Sequence, residues 1–223
     1  MNDGDFVQIE FVGRVKDTGE LFDLTDEALA KKEGVYQKEN KYGPTLVILG
    51  ARSVIPGVES QIKQMKVGDE KEFDVSPENG FGMRDPKFVQ IISLAKFIQQ
   101  KVNPVPGAFV NIDGRNGKIQ SVSGGRIRVD FNHPLANKTL LYKLKVVKDV
   151  KDSKEKMEAL LKYFSIDGSV KVEGDKCEIS LKQKNKLLEK LVEETSKKWI
   201  KEIRSVTFSE TKKTVNTEGE LEK

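Results

Sequence analysis

No nucleophile in this sequence stands beside a base at a recognisable spacing. The one histidine, His133, is followed directly by Pro134, and no serine or cysteine lies near it in the sequence. A nucleophile needs an adjacent base, and a Cys/His metal site needs several ligands. Phosphate- and dinucleotide-binding glycine motifs are also absent. We therefore interpret His133 as structural and the one cysteine, Cys177, as a small buried apolar residue, and expect neither a metal nor a cofactor.

A different chemistry, one that needs only shape and an apolar surface, has better candidates. Aromatic and aliphatic residues stand beside glycine and proline at several points: Phe11, Phe22-Asp23, Val54-Ile55-Pro56-Gly57, Phe81-Gly82 and Tyr142. Glycine and proline end strands and shape loops, where side chains can line a cleft. Taken singly, the phenylalanines are more typical of a core and Asp23 is more typical of a turn. The ordered set favours an apolar ligand pocket.

These residues must be positioned by short strands around one helix. Alternation of apolar and polar residues predicts strands over about 6–15, 45–49, 71–75 and 140–147. Pro56 suits a first helical turn, and Val58, Ile62 and Met65 then share one face of a short helix. We expect that face to cover the apolar side of the sheet.

Two further regions follow this first one. Glycine- and asparagine-rich turns separate short candidate strands near 89–92, 109–113 and 126–131. The region after a polar stretch at 148–154 predicts a helix over 155–164, a hairpin over 170–181 and a long helix over 185–205. The last residues, 209–223, are polar, and we expect a flexible tail.

The composition limits the partners and the location. The net charge is only +4, because 39 basic and 35 acidic residues are interleaved along the chain. A protein that binds phosphates concentrates its basic residues, so we expect no nucleic-acid partner. The apolar runs are too short to span a bilayer, and the first residues lack a signal-peptide pattern. We therefore predict a cytoplasmic protein without a membrane partner.

The ordered motifs resemble those of the FKBP-type prolyl isomerases. The resemblance covers about residues 1–150 and rests on Phe22-Asp23, Leu49-Gly50, VIPGVE at 54–59, KVGDE at 66–70 and SPENGFG at 76–82. The segment NHPLANKTL at 132–140 is similar to the entry into the last strand in the SlyD-like branch, here in a long, archaeal form. In that branch a small domain called insert-in-flap interrupts the isomerase domain just after the Phe81-Gly82 loop.

The resemblance implies an α+β fold with three parts. A twisted antiparallel sheet would wrap on a short helix, with an inserted small β domain and a C-terminal α+β domain. The expected borders are 1–85 and 132–150 for the split isomerase domain, 86–131 for the insert, 151–208 for the C-terminal domain and 209–223 for the tail.

The resemblance also implies a pocket between helix and sheet. Its catalytic residues would be Phe11, Asp23, Ile55, Phe81 and Tyr142, and its substrate-binding residues Phe22, Val47, Val54 and Val58, with Leu46 as the alternative to Val47. Ile55 would bind a peptide carbonyl through its backbone N–H. Val58 stands where the family often has a large aromatic residue, which implies a roomier or shallower pocket. Phe81 stands where the family often has a tyrosine, so a hydroxyl donor to the bound peptide is lost. Both departures argue against tight macrolide binding.

The implied function is peptidyl-prolyl cis/trans isomerisation and assistance to folding, with unfolded or proline-containing polypeptides as partners. Val58 and Phe81 keep an alternative open, in which the site is degenerate and the protein is a non-catalytic holding chaperone or interaction module. A hydrolase built on His133 would need a partner that the sequence does not show.

The two added regions carry open alternatives of their own. The insert has more apolar residues than so small a unit can bury, which predicts a surface that holds unfolded chains; the alternative is an ordinary core. Apolar stripes on both C-terminal helices predict a homodimer contact, which a monomeric mass at micromolar concentration would contradict. The alternative is that these stripes close a self-contained domain.

Overall fold

The strands of the computed structural model, which describes residues 1–182 and 185–210, divide among three sheets. The first sheet contains β1 (Phe6–Val15), β2 (Leu21–Leu24), β3 (Thr45–Ile48), β4 (Glu70–Val75) and β9 (Leu140–Val150); the second contains β5 (Val89–Ser93), β6 (Phe109–Ile112), β7 (Arg115–Ser123) and β8 (Arg126–Asp130); the third contains β10 (Gly168–Glu173), β11 (Lys176–Leu181) and β12 (Ser205–Glu210). The α-helices are α1 (Glu27–Lys32), α2 (Pro56–Gln64), α3 (Leu94–Gln99), α4 (Ser153–Tyr163) and α5 (Lys186–Trp199), and 3-10 turns lie at Pro77–Asn79 and Pro86–Phe88.

The first sheet is antiparallel and covers α2, as the sequence predicts. Its strand order is β2-β1-β9-β4, with β3 also paired to β1. Helix α2 begins at Pro56 and buries Val58 and Ile62, and Met65 is buried just beyond its end. These residues share one buried cluster with Val7 and Ile9 of β1. The predicted apolar face of the short helix is confirmed.

The other face of the same sheet is covered by the C-terminal region. Phe6 of β1 and Ile48 of β3 belong to a second buried cluster, together with Met157 and Leu160 of α4 and Ile179 of β11. Outside that cluster, Lys148 of β9 forms an ion pair with Glu155 of α4 at 2.6 Å. The apolar stripe of α4 is therefore buried against the first sheet as well as against its own hairpin.

The second sheet lies between β4 and β9 in the chain and has a small core of its own. That core consists of Phe97, Ile112, Ile119, Ile127 and Val129. The sequence predicted three of the four strands but missed β7, together with the short helix α3. Strand β7 buries only Gly117 and Ile119, so its alternation is too weak to separate it from the turns beside it.

The chain enters and leaves the second sheet beside one buried carboxylate, that of Asp130. Asp130 is only 9% exposed and forms an ion pair with Arg84. The other oxygen of its carboxylate accepts from the backbone N–H of Asn132 at 3.0 Å and from the Asn132 amide at 2.7 Å. Asn132 also exchanges two hydrogen bonds with the backbone of Asp85, at 2.9 and 3.0 Å. This network joins the segment through which the chain enters the second sheet to the segment through which it leaves.

The third sheet corrects the predicted end of the long helix. Helix α5 ends at Trp199 rather than near Ser205, and residues Ser205–Glu210 form β12, which pairs in parallel with β11. Ile203, which helical spacing put on the apolar stripe, is buried beyond the helix. Strand β12 includes the first two residues of the predicted tail, Ser209 and Glu210; the rest of the predicted tail, 211–223, lies outside the described residues.

We predict that the first sheet and the C-terminal region unfold together, because they share one buried cluster. Leu160→Ala removes a fully buried side chain from that cluster and should lower the free energy of unfolding by about 2–5 kcal/mol. Urea unfolding should be followed by circular dichroism and by the fluorescence of the one tryptophan, Trp199. Both probes should move to the same lower midpoint.

The matched control is Leu187→Ala, since Leu187 is 77% exposed and its truncation should change the midpoint little. Loss of the Trp199 signal at a lower urea concentration than the circular dichroism signal would show that the two regions unfold separately.

Candidate active site

A cavity of about 330 Å³ lies beside α2, and seven of the nine predicted site residues line it. They are Phe11, Asp23, Val47, Val54, Ile55, Val58 and Tyr142, and Leu46 joins them. The walls come from β1, β3 and β9, from the end of β2 and from the loop that leads into α2. Most of these side chains are aliphatic or aromatic, so the cavity suits a compact apolar group.

The two remaining predicted residues, Phe22 and Phe81, adjoin the cavity through Tyr142 instead of lining it. The Phe22 ring meets Tyr142 edge-on at 5.7 Å between centroids and Phe81 edge-on at 6.4 Å. Phe81 stacks in parallel on His133 at 4.2 Å. Such aromatic contacts each contribute about 0.5–1.5 kcal/mol beyond burial. Phe22 therefore holds Tyr142 in position, and Phe81 packs behind Phe22.

A glycine in β1 makes room for this aromatic group. A Cβ atom on Gly13 would lie 2.7 Å from the Cζ atom of Phe22, closer than two carbon atoms can pack. In register, Gly13 stands between Asp23 of β2 and Tyr142 of β9. The role of Gly13 is not visible in the sequence, because a lone glycine in a strand can have several causes.

Asp23 and Tyr142 are the ionisable groups of the predicted set. Partial burial raises the pKa of Asp23 above its ordinary value, and the backbone N–H of Leu24 acts in the opposite direction. Burial raises the pKa of Tyr142 far above its ordinary value, and the nearby Asp23 carboxylate adds to the increase. Tyr142 therefore keeps its hydroxyl proton at neutral pH and remains a hydrogen-bond donor.

Ile55 offers a free backbone donor at the cavity. It is the N-cap of α2 with extended backbone angles, φ −62° and ψ 149°. Its carbonyl accepts from the N–H groups of Val58 and Glu59 at 3.0 and 3.1 Å. Its own N–H has no acceptor within residues 1–182 and 185–210. A half-buried N–H without a partner gains a hydrogen bond when a peptide carbonyl binds there.

Several lining residues were missed in the sequence, among them Thr25, Lys41, Ser53 and Tyr163. Thr25 is 6% exposed, and its hydroxyl accepts from the N–H of Phe11 at 2.8 Å, which holds β1 beside the cavity. Lys41 comes from the loop between α1 and β3, and Tyr163 from the end of α4. The sequence around Lys41 and Tyr163 does not mark either of them as a site residue, because the two come together only when α4 docks on the first sheet.

The alternative of a hydrolase around His133 finds no support in its surroundings. Besides stacking on Phe81, the ring accepts the N–H of Leu135 at its Nδ1 atom, at 3.2 Å.

Cys177 is buried, as predicted, and burial raises the pKa of its thiol to about 11. In the described part of the chain no three His, Cys, Asp or Glu side chains cluster as metal ligands would, and no helix there is long and apolar enough to cross a membrane.

Comparison with known proteins agrees with this cavity. The family model for FKBP-type peptidyl-prolyl cis-trans isomerases matches residues 1–98, and the model named FKBP26, IF domain, matches residues 90–135. The chain is 34% identical over 143 residues to the short-type peptidyl-prolyl cis-trans isomerase of Methanocaldococcus jannaschii. This match covers 64% of this chain and 90% of that protein. The chain belongs to the FKBP-type peptidyl-prolyl cis-trans isomerase family. It is also 35% identical over 113 residues to the FKBP-type 16 kDa isomerase of Escherichia coli, covering 48% of this chain and 75% of that protein.

A third relative is the SlyD isomerase of Helicobacter pylori, with 27% identity over 107 residues, 47% of this chain and 58% of that protein. The protein is accordingly a peptidyl-prolyl cis-trans isomerase and folding helper that acts on proline-containing polypeptides. These relatives do not favour the alternative of a non-catalytic holding chaperone.

We predict that Asp23 titrates above the ordinary aspartate pKa of about 3.9, because burial penalises its charged form. The folded state then favours the neutral carboxyl, so the charge costs stability at neutral pH. Asp23→Asn should raise the melting temperature at pH 7, and this gain should disappear once the pH falls below the ordinary pKa. Carboxyl-carbon NMR gives the titration midpoint directly.

Asp17→Asn, in the exposed turn after β1, is the matched control and should leave the melting temperature nearly unchanged at both pH values. A titration midpoint of Asp23 at or below the ordinary aspartate value would contradict the assignment of burial as the dominant effect.

Proposed function

We propose that this isomerase binds the proline ring of an Xaa-Pro segment in the 330 Å³ cavity and that rotation of the prolyl bond takes place there. Val54, Ile55 and Val58 would form the apolar floor, with Val47 beside them. The observation that carries the proposal is the combination of an apolar cavity with the free backbone N–H of Ile55.

The chemistry needs no covalent step. Rotation of a prolyl amide is opposed by resonance, and the barrier is roughly 18–20 kcal/mol. The planar amide is more charge-separated than the twisted transition state. An apolar site removes water from the planar form at a greater cost than from the twisted form. The transition state is therefore bound better than the ground state, which lowers the barrier.

The other predicted residues have distinct roles in this proposal. The N–H of Ile55 donates to a carbonyl of the bound chain, so one side of the prolyl bond is held while the other rotates. Phe11 and Tyr142 form an aromatic wall, and Asp23 places an ionisable carboxyl group beside that wall. Phe22 braces Tyr142 by its ring contact, and Phe81 supports Phe22 in turn. Val58, smaller than an aromatic residue, makes the floor of the cavity roomier.

We also propose the division of the chain that the sequence predicted. The isomerase domain comprises 1–85 and 132–150, the insert 86–131, and the C-terminal domain 151–208. Three separate sheets support this division, and two buried clusters are confined to the isomerase domain and to the insert. The third cluster joins the C-terminal domain to the first sheet, and β12 carries that domain on to Glu210. The match to the IF domain model at 90–135 supports an insert of the insert-in-flap type. The archaeal origin and the cytoplasmic location stay predictions.

The insert is proposed to hold unfolded chains. Its core is small, and large apolar side chains remain on its surface: Ile91 is 69% exposed, Phe109 67% and Ile98 66%. Exposed apolar residues concentrated on one small unit are typical of a binding surface. The network around Asp130 fixes this unit to the isomerase domain. A client held on the insert would thus stay near the cavity.

The predicted homodimer contact through the C-terminal domain stays a prediction. Part of the apolar stripe that suggested it is buried against the first sheet through α4. The remaining candidates lie on α5, where Leu187 is 77% and Leu191 is 40% exposed.

Val54→Asp should abolish most catalysis, because it places a carboxylate where the proline ring would pack. A single misplaced charge of this kind costs about 1–3 kcal/mol of binding, so we expect kcat/KM to fall about tenfold or more. The measurement is the refolding rate of a substrate protein that is limited by prolyl isomerisation. Val67→Asp adds the same charge at a residue that is 52% exposed and outside the cavity, and should retain the activity. Equal activity in both variants would remove the cavity as the site.

The double variant Ile91→Ser with Phe109→Ser should lose the ability to delay aggregation of an unfolded client, because it removes two of the most exposed apolar side chains of the insert. Light scattering of a chemically unfolded client measures this ability. Val67→Ser is the control outside the insert. Full protection by the double variant, with unchanged thermal stability, would contradict the holding role of this surface.

A further inference from the structure

The C-terminal domain contributes a wall to the isomerase cavity. Tyr163 is the last residue of α4, yet it lines the same cavity as Val54, Ile55 and Tyr142. It is the one lining residue from beyond β9 within the described part of the chain. Its side chain is 48% exposed, and its hydroxyl has no hydrogen-bond partner within residues 1–182 and 185–210. The ring therefore stands at the rim, open to a bound chain.

The position of Tyr163 is fixed from within its own helix. Helix α4 is anchored on the first sheet, because Leu160 shares a buried cluster with Leu46 and Ile48 of β3. Leu46 in turn lines the cavity. The helix ends where the N–H of Phe164 donates to Leu160 at 3.1 Å. The Tyr163 ring is packed edge-on against Phe164 at 5.2 Å, so its direction is set by packing.

The isomerase domain contributes Lys41 to the same rim and contacts the C-terminal domain there. Lys41, in the loop between α1 and β3, also lines the cavity, and its ammonium group donates to the hydroxyl of Ser165 at 3.2 Å. The loop is braced by the stacking of Tyr36 on Tyr42 at 5.4 Å. The rim beside Tyr163 is thus a junction of two domains.

We infer that Tyr163 is a specificity-determining residue that contacts the side chain flanking the proline in the bound polypeptide. The inference rests on the proposed function of the cavity. The apolar floor takes the proline ring, and the neighbouring residue must leave across the half-exposed rim. A large apolar or aromatic side chain there packs on the Tyr163 ring and covers it, whereas glycine or alanine leaves it exposed to water. The preferred substrates are chains with a large apolar residue next to the proline.

The experiment compares peptides that carry phenylalanine, leucine or alanine next to the proline, with the position before and the position after tested separately. Catalysed isomerisation is measured by NMR exchange, and the quantity is the ratio of kcat/KM for large over small flanking residues. Tyr163→Ala should lower this ratio by about three- to tenfold, through KM, at one of the two positions. Tyr163→Phe keeps the ring and should keep the ratio. Lys162→Ala, the neighbouring exposed residue outside the cavity, should also keep it.

The outcomes separate this inference from the function on which it rests. An unchanged ratio in Tyr163→Ala, with Val54→Asp inactive, would overturn the role of Tyr163 and leave the cavity as the active site. An equal loss for all peptides in Tyr163→Ala would also overturn it, because a merely structural role has that effect. Full activity of Val54→Asp would instead remove the cavity itself.

Discussion

Strand β1 is buried on both of its faces near its beginning, and the rest of the molecule is arranged around that fact. Phe6 and Val7 are adjacent and both fully buried, but they belong to two different clusters. Neighbouring residues of a strand point to opposite faces, so β1 connects the core under α2 to the core under α4. The same strand pairs with β2, β3 and β9. A slip of one residue would exchange the two faces and disrupt both cores.

The same register builds the active site. Where the double burial ends, β1 supplies Phe11 to the cavity and then Gly13, against which Phe22 packs. Pairing with β2 and β9 brings Asp23 and Tyr142 to either side of that glycine. The cavity is thus lined by residues of β1, β3 and β9 and by the end of β2, next to α2. Since α4 lies on the opposite face of β1 and β3, the C-terminal domain can reach the rim of the cavity without belonging to its floor.

How much of this could be predicted from the sequence depends on how local each signal is. The strand of β1, the helix begun by Pro56 and its apolar face all follow from short-range periodicity, and motif order brings together Phe11, Asp23, Val54 and Ile55. Strand β7 was missed because it buries too few side chains to show alternation. Strand β12 was missed because Val206 and Phe208 come shortly after a strong helical pattern. Only the pairing of β12 with β11 shows that these residues belong to a strand.

Tyr163 lay beyond prediction for a different reason. Its neighbours in the cavity are more than 100 residues away in sequence for the most part, and the contact exists only because two domains share a core. Nothing in the composition of α4 distinguishes a tyrosine that faces a substrate from one that faces water. A tertiary contact of this kind is visible only once the packing of α4 on the first sheet is known.

Catalysis in this cavity is tested most directly by an NMR titration of the isotope-labelled protein with a short proline-containing peptide. The amide of Ile55, which has no acceptor within residues 1–182 and 185–210, should shift strongly as it donates to the peptide, along with its neighbours in the cavity. Exchange peaks between the cis and trans forms of the peptide should appear in the same sample. Exchange peaks without a change at Ile55, and with shifts confined to the second sheet, would contradict catalysis in this cavity.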